Sequence, residues 1–169
     1  MNIFVLDASI EKCARYHADT HVVKMILEST QMLCTVVNGN GGSSPYRSTH
    51  ERHPCTLWAG RSLSNWKWLR RLALALNREY RYRFGKGEDH HSAVVARGLK
   101  PPPIPDRGLT EFAQAMPEEY RVRGDAVSAY RRFYAGEKSH LARWTRRRRP
   151  RWFGEIRRQA AGDPPDHGP

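Results

Sequence analysis

The polar residues with the greatest chemical potential in this sequence follow one another at helical spacing. His21, Lys24, Glu28, Gln31 and Thr35 are three or four residues apart, so they form one polar stripe if this segment is helical. The stripe combines a proton carrier, an amine and a carboxylate. An amine beside a carboxylate suits imine chemistry at a sugar C1′, because the amine must lose a proton and ring opening must gain one. An ordinary solvated face with a Lys24–Glu28 ion pair would give the same pattern.

Other histidines extend the set of candidates. His17 precedes His21 by four residues, and Asp19 lies between them at a predicted helix start. His17 and His21 are spaced like a zinc-binding pair on a helix, and His50 with His53 could complete a four-histidine site. The alternative for the second pair is that its ring N–H groups hold the loop in place. The favoured interpretation needs no metal and no cofactor, and its catalytic candidates are Glu28, Lys24, His21, His17 and Asp19.

The charge of the chain indicates a polyanionic partner. Among 169 residues, 29 Lys and Arg stand against 17 Asp and Glu, a net charge of +12, and the pI is about 10.2. Arginine pairs with phosphate oxygens and stacks on bases, so nucleic acid is the expected partner. For Trp144 and Trp152, core packing and base stacking stay open as alternatives. The candidate DNA-binding residues are Tyr46, His50, His53, Arg70, Arg71, Arg78, Arg143, Arg146, Arg147, Trp144 and Trp152.

Several functional classes find no support in the sequence. No apolar run approaches the roughly 20 residues that span a bilayer, and the N-terminus lacks a basic start, so we expect a cytoplasmic protein without membrane contact. Cys13, Cys34 and Cys55 form neither an even set nor a C-x-x-C pair, which favours structural thiols. No Walker motif, Rossmann glycine pattern or G-x-S-x-G elbow is present.

Hydrophobic periodicity predicts an all-α protein, a single compact domain of about five helices with long ordered loops. The domain is expected to cover residues 1–153, and residues 154–169 are expected to be a disordered tail because they are rich in Gly, Pro and charge. The predicted elements are a first turn capped by Asp7 or Ser9 and running to Tyr16, a helix from Asp19 to Asn38, a loop to Pro54, a long helix from about Thr56 to Phe84, and shorter helices at Thr110–Met116 and Asp125–Tyr134.

The order of these features resembles a known family. The run from Val5-Leu6-Asp7 to His21, Glu28 seven residues later, the pair His53-Pro54 and the helix that ends at Gly85 are similar to the small all-helical pyrimidine-dimer DNA glycosylases, the phage endonuclease V type. The likeness covers roughly the first half of the chain. It implies a DNA-bending, nucleotide-flipping enzyme that cuts the glycosidic bond through an imine, with Glu28 and His21 at the positions of the family's glutamate and histidine.

The sequence departs from that family at the nucleophile. The family uses the α-amine of the residue exposed after Met removal, whereas position 2 here is Asn2, whose bulk usually prevents the removal. The arginines of the family's catalytic helix are also missing, since Leu27 and Gln31 flank Glu28. The amine is therefore Lys24 or the α-amine of Met1, or the scaffold has another task on DNA.

The chain also resembles uncharacterised small phage-encoded proteins over most of its length. The shared motifs lie at His17–Glu28, Thr49–Trp58 and Glu111–Pro117, and they bring no established activity.

Together these patterns predict a monomeric enzyme that binds duplex DNA and flips out a nucleotide, most plausibly a DNA N-glycosylase with or without abasic-site lyase activity. Glu28 would be the general base, Lys24 the imine former, and His17 and His21 proton handlers or substrate contacts. The alternatives are a non-catalytic phage-type DNA-binding protein and a His-coordinated metal enzyme. If phage-encoded, the protein would work in the host cytoplasm.

Overall fold

The computed structural model describes residues 1–162 and contains no strand among them, which confirms the all-α prediction. No helix in this part of the chain is long and apolar enough to cross a membrane. The helices are α1 (Ile10–Tyr16), α2 (Asp19–Gly39), α3 (Pro54–Arg61), α4 (Leu63–Phe84), α5 (His91–Gly98), α6 (Ala126–Glu137) and α7 (Arg151–Ala161), with short 3-10 turns at Glu118–Tyr120 and Ser139–Leu141.

The local signals that begin and end these helices are readable in the sequence. Ser9 caps α1 and its hydroxyl accepts from the N–H of Lys12. Pro54 occupies the first turn of α3, where its missing N–H costs nothing. Gly85 ends α4 with φ +60, a left-handed conformation that suits glycine. Asp125 caps α6 by accepting from the backbone of Ser128.

The long helix predicted from Thr56 to Phe84 is in fact two helices, because the chain leaves helical geometry at Ser62 (φ −150, ψ 143). The buried Ser62 hydroxyl donates to the carbonyl of Gly108 at 2.8 Å and accepts from the N–H of Arg107. The loop that contains Arg107 and Gly108 thus provides the hydrogen-bond partners of Ser62. No local sequence pattern predicts this break between the two helices.

The helix predicted at Thr110–Met116 is absent, and several backbone groups of this segment bind side chains from distant parts of the chain. The N–H of Thr110 donates to the side chain of Asn65, and the carbonyl of Ala113 accepts from the Tyr130 hydroxyl. The carbonyl of Ala115 accepts from the side chain of Asn2 at 2.8 Å. Side chains of Asn65, Tyr130 and Asn2 therefore hold this segment in an irregular conformation.

The predicted disordered tail is also corrected in part. Residues 151–161 form α7, whose Trp152 and Phe153 are buried against α6 and α1. The free energy gained by burying these two rings stabilises the helix despite the high charge of the segment. A stretch without a long apolar pattern is therefore helical. The rest of the predicted tail, residues 163–169, lies outside the described residues.

The core lies between α2 and α4, and the first six residues run through it in extended form. Ile3, Val5 and Leu6 are fully buried, and Leu6 donates its N–H to the sulfur of Cys13. The three cysteines are buried and free, as predicted for structural thiols. This path brings the start of the chain to the polar face of α2.

A buried arginine joins the end of α4 to the junction of α1 and α2. The Arg83 side chain is wholly inaccessible and donates to Glu79 at 2.9 Å, to Asp19 at 3.2 Å and to the carbonyls of His17 and Arg15, each at 2.8 Å. These bonds occupy both terminal nitrogens and Nε, so the buried charge is neutralised and hydrogen-bonded.

The C-terminal segment adds to the same cluster. Arg147 donates to both oxygens of Glu79 at 3.0 and 2.7 Å, and the Thr145 hydroxyl donates to Asp19 at 2.7 Å. Glu79 is largely buried, and burial raises its pKa, but the hydrogen bonds from Arg147 and Arg83 outweigh that effect and hold the pKa below its usual value.

Replacing Glu79 by Gln therefore weakens folding in a pH-dependent way. At pH 7 we expect the free energy of unfolding to fall by about 3 kcal/mol, because two guanidinium groups lose their carboxylate partner. Because the folded-state pKa is lowered, the stabilisation is complete above the ordinary value of 4.5 and is lost as the pH falls through the folded value.

Urea unfolding at pH 7 and at successively lower pH measures this deficit. The matched control is Glu118→Gln, which breaks an exposed pair with Arg121 and should cost under about 1 kcal/mol. Equal losses in the two variants would contradict the central role assigned to Glu79.

Candidate functional site

A cleft of about 150 Å³ opens where the start of the chain meets the N-terminal half of α2 and the end of α6. Its volume equals that of roughly five water molecules in the liquid. It lies on the polar stripe identified from the sequence. The residues that line it are Met1, Asn2, Phe4, His21, Lys24, Met25, Glu28, Phe133 and Lys138.

Glu28 lies in this cleft with nitrogen atoms at both of its carboxylate oxygens. Oε2 accepts from the backbone N–H of Asn2 at 3.0 Å and lies 3.8 Å from the α-amine of Met1. Oε1 lies 3.5 Å from the Nζ of Lys24. Glu28 is 9% exposed, whereas the Lys24 side chain is 61% exposed, so the lysine approaches from the solvent side. The carboxylate therefore forms an ion pair with each of the two amines.

The side chain of Asn2 fixes the start of the chain in this position. Its amide nitrogen donates to the carbonyl of Ala115, and its Oδ1 accepts from the N–H of Ile3 at 2.8 Å. The non-helical segment at 110–116 therefore holds Asn2 beside Glu28.

His53 borders the same end of the site. Its Nδ1 accepts from the N–H of Cys55 at 3.2 Å, so Nε2 carries the proton of the neutral ring. Partial burial, and then the positive α-amine of Met1 and His50, lower the pKa of His53, and Glu28 opposes that effect. His50 itself is exposed, with φ +51, and its Nδ1 contacts the Thr49 hydroxyl.

His21 is held as a neutral ring with one nitrogen left to donate. The Tyr134 hydroxyl accepts from the N–H of Ala18 at 2.8 Å, and we assign its own hydrogen to the bond with His21 Nδ1 at 2.7 Å, the one other hydrogen-bond partner of this hydroxyl within residues 1–162. Nε2 therefore carries the proton of the imidazole. Burial, followed by the charges of Lys138 and Lys24, lowers the pKa of His21 to about 4. At neutral pH this side chain is a hydrogen-bond donor and not a proton carrier.

Two of the catalytic candidates lie outside the cleft lining. His17 is fully buried, its Nδ1 donates to the carbonyl of Cys13, and burial lowers its pKa to about 3. Asp19 is bound by Arg83 and Thr145 in the buried ion cluster. Neither meets a substrate in the cleft, so the structure corrects their assignment as catalytic residues and gives both a structural role.

The four-histidine metal set is not assembled. His17 and His21 use their Nδ1 atoms for Cys13 and Tyr134, and no group of three His, Cys, Asp or Glu side chains within residues 1–162 could hold a metal ion.

The candidate phosphate-binding arginines do not share one environment. Arg70 donates to the carbonyls of Ala96 and Arg97, Arg78 pairs with Glu11, and Arg147 belongs to the buried cluster. None of them lines the cleft. Tyr46 is half-buried and its hydroxyl contacts Ser92. The arginine candidates with exposed side chains are Arg71, Arg78, Arg143 and Arg146, and the last of these donates to the carbonyl of Tyr82.

The two tryptophans of the basic C-terminal segment are core residues. Trp144 is 9% exposed and donates to the carbonyl of Tyr16 at 3.0 Å, and Trp152 is 8% exposed and packs on Tyr16 and Phe153. Their rings therefore pack in the core, one of the two alternatives left open by the sequence, and this corrects their place among the candidate DNA-binding residues.

Sequence reasoning missed the residues that other elements bring to the cleft. Phe4 stacks on His21 with ring centroids 4.7 Å apart, and Phe133 lies 6.3 Å beyond it in a nearly parallel plane. Phe4 has φ +38, a strained backbone of the kind that concentrates at functional sites. Lys138 follows α6, more than 100 residues from α2 in the chain. No spacing pattern could join these positions, because the fold alone makes them neighbours.

The two buried histidines make the protein acid-sensitive. In the unfolded chain both take up protons below their ordinary pKa of 6.5, whereas in the folded state the values are about 3 and 4. Stability is therefore complete above pH 6.5 and falls with acid, by about 1.4 kcal/mol per pH unit for each histidine.

Urea unfolding between pH 7 and pH 4.5 measures that slope. Replacing His21 by Phe removes one titrating group and should reduce the slope by about half, whatever its effect on stability at pH 7. A slope that His21→Phe leaves unchanged would contradict the neutral state assigned to this side chain.

Comparison of the chain with models of known protein families, with curated proteins and with solved structures gave no match in any of the three cases.

Proposed function

We propose that the protein is a DNA-binding enzyme that acts on a base, with DNA N-glycosylase as the best-supported activity and abasic-site lyase action through an imine as its extension. Its partner would be duplex DNA with one nucleotide flipped into the cleft. The single observation that carries the proposal is Glu28, a largely buried carboxylate with an amine within 4 Å of each oxygen. The proposed relationship to the pyrimidine-dimer glycosylases rests on the same residues.

The chemistry that this arrangement supports can be written with its protons. The amine first gives up its ammonium proton to water. Its lone pair then forms a bond to C1′ while the C1′–N bond breaks, and the electron pair of the broken bond leaves with the base. The new C1′–nitrogen bond makes the amine acidic, and Glu28 accepts its proton. Glu28 then returns that proton to the ring oxygen as the C1′–O bond breaks, which leaves an imine between enzyme and sugar.

Two amines compete for this role, and both adjoin the same carboxylate. Lys24 is solvent-exposed and lies at Oε1, whereas the α-amine of Met1 lies at Oε2 in a buried setting. If Met1 were removed, the nitrogen of Asn2, which already lies 3.0 Å from Oε2, would be the amine. The proposal therefore does not depend on which form of the N-terminus is present.

Exposed arginines around α7 support DNA contact. The structure leaves Arg148, Arg149 and Arg151 exposed beside the buried Trp152, and Arg157 and Arg158 are exposed farther along the helix. This surface also supports the second candidate function, a non-catalytic DNA-binding protein, because it would bind phosphates whether or not the cleft reacts.

Borohydride trapping tests the proposed chemistry. Wild type on duplex DNA that carries a pyrimidine dimer, a modified pyrimidine or an abasic site should give a covalent adduct, because borohydride reduces the imine to a stable amine. Glu28→Gln should abolish the adduct and keep binding, since the amide cannot accept the proton. In a purely binding protein Glu28→Gln should change nothing.

The nucleophile is identified by two further proteins, Lys24→Ala and wild type acetylated at its α-amine. Lys67→Ala, an exposed lysine of α4 away from the cleft, is the matched control. If only one of these two proteins fails to form the adduct, the amine changed in that protein is the nucleophile. No adduct on any duplex, with salt-sensitive binding retained, would contradict the lyase activity and leave a monofunctional glycosylase or a binding protein.

Salt dependence tests the arginine surface. Changing Arg148 and Arg149 to Gln should reduce the slope of log K against log salt by up to about 2, because each phosphate contact contributes about 0.9. The control pair Arg107→Gln and Arg123→Gln removes the same charge from exposed loop positions. Equal changes in the two double variants would show that only net charge matters.

A further inference from the structure

The cleft has two chemically different ends along α2. At one end lie Glu28, Lys24 and the start of the chain, which together can form and protonate an imine. At the other end lies His21, which is one turn earlier on α2 and is covered by rings and by Lys138. Glu28 is the one acid among the described residues of the cleft lining, so the His21 end has no negative charge of its own.

Two hydrogen-bond donors at the His21 end have no hydrogen-bond partner within residues 1–162. The chain of bonds from Ala18 through Tyr134 to Nδ1 leaves the Nε2–H of His21 free to donate, and the ring is fixed by its stack on Phe4. A neutral imidazole with its second nitrogen fixed by a hydrogen bond can polarise a carbonyl group without giving up a proton.

Lys138 supplies the second donor. It follows the last turn of α6, and its ammonium lies 5.3 Å from the centre of the Phe133 ring. It lines the cleft, and no carboxylate of residues 1–162 forms a salt bridge with it. A lysine ammonium held at an aromatic face inside a cleft keeps its charge for a ligand.

We infer that the Nε2–H of His21 and the ammonium of Lys138 stabilise the negative charge that develops on the departing base. This inference rests on the proposed function and adds the leaving-group side of the same reaction. When the C1′–N bond breaks, its electron pair goes to the base and is shared with a ring carbonyl oxygen or nitrogen. The two donors bind that atom, and the base takes its proton from water as it leaves.

The division of labour follows from where the groups lie. Glu28 and the amines act on the sugar, which becomes electron-poor as the bond breaks, and His21 and Lys138 act on the base, which becomes electron-rich. Donors already in place when charge develops need no reorganisation during the reaction, and removing one such donor typically costs a factor of about 10² to 10³ in rate.

The test separates bond cleavage from binding. The single-turnover rate of base release is measured on duplex DNA that carries one modified pyrimidine that is not cross-linked to its neighbour, and the Kd is measured for a duplex with an abasic site, which has no base to release. Lys138→Met and His21→Phe should slow base release by at least about tenfold. Because the abasic duplex lacks the atom that they bind, its Kd should change by less than about threefold.

Two control variants distinguish a specific role of the Lys138 ammonium from a general effect of lost charge. Lys67→Met removes the same charge outside the cleft and should leave the rate near that of wild type, and Lys138→Arg should retain most of it. If His21→Phe fails to fold, Lys138→Met still decides the matter. An unchanged rate of base release, or a loss explained wholly by weaker binding, would overturn the inference while leaving imine chemistry intact.

A spectroscopic measurement tests the state of His21 without any substrate. In ¹⁵N spectra of the imidazole, Nε2 should be protonated and Nδ1 unprotonated from pH 8 to pH 5. A ring protonated at both nitrogens at pH 6 would overturn the inference by itself. Wild type that releases no base and traps on no duplex would instead contradict the proposed function, and the inference with it.

Discussion

The structure depends on one buried charge, the guanidinium of Arg83. It links the end of α4 to the turn between α1 and α2 and, through Glu79 and Asp19, to the segment at 143–147. A guanidinium taken out of water is stabilised only when its donors are all bonded, so the helices around it have little freedom to shift. Because α2 begins at Asp19, the cluster also fixes where the polar stripe of that helix starts.

The second constraint is the extended start of the chain, which passes through the core and ends at the cleft. Asn2 is held by Ala115, and its N–H donates to Glu28, so three distant parts of the sequence converge on a single carboxylate. The segment at 110–116 takes part in this convergence, because the carbonyl of Ala115 accepts from the Asn2 side chain. The hydrogen bond between Asn2 and Ala115 therefore couples the position of the α-amine to the conformation of that segment.

Burial then assigns different chemistry to residues that look alike in the sequence. His17 and His21 are both neutral in the fold, but His17 is fully buried in the core whereas His21 is one of the residues that line the cleft. The desolvation that removes their capacity to carry protons at neutral pH is the same in both cases. Their roles differ because only His21 lies beside open space and beside Lys138.

The sequence by itself determined the helical class, the bounds of α2, the helix start at Asp125, the helix end at Gly85 and the stripe that carries Lys24 and Glu28, because these follow from periodicity and short-range hydrogen bonds. Only the tertiary structure decided that Ser62 breaks a helix, that Asp19 serves Arg83, that Trp144 and Trp152 are core residues, and that Phe4, Phe133 and Lys138 complete the cleft. Those outcomes depend on contacts between residues far apart in the chain, and the free energy of burying a ring or a charge is set by neighbours that no local pattern specifies.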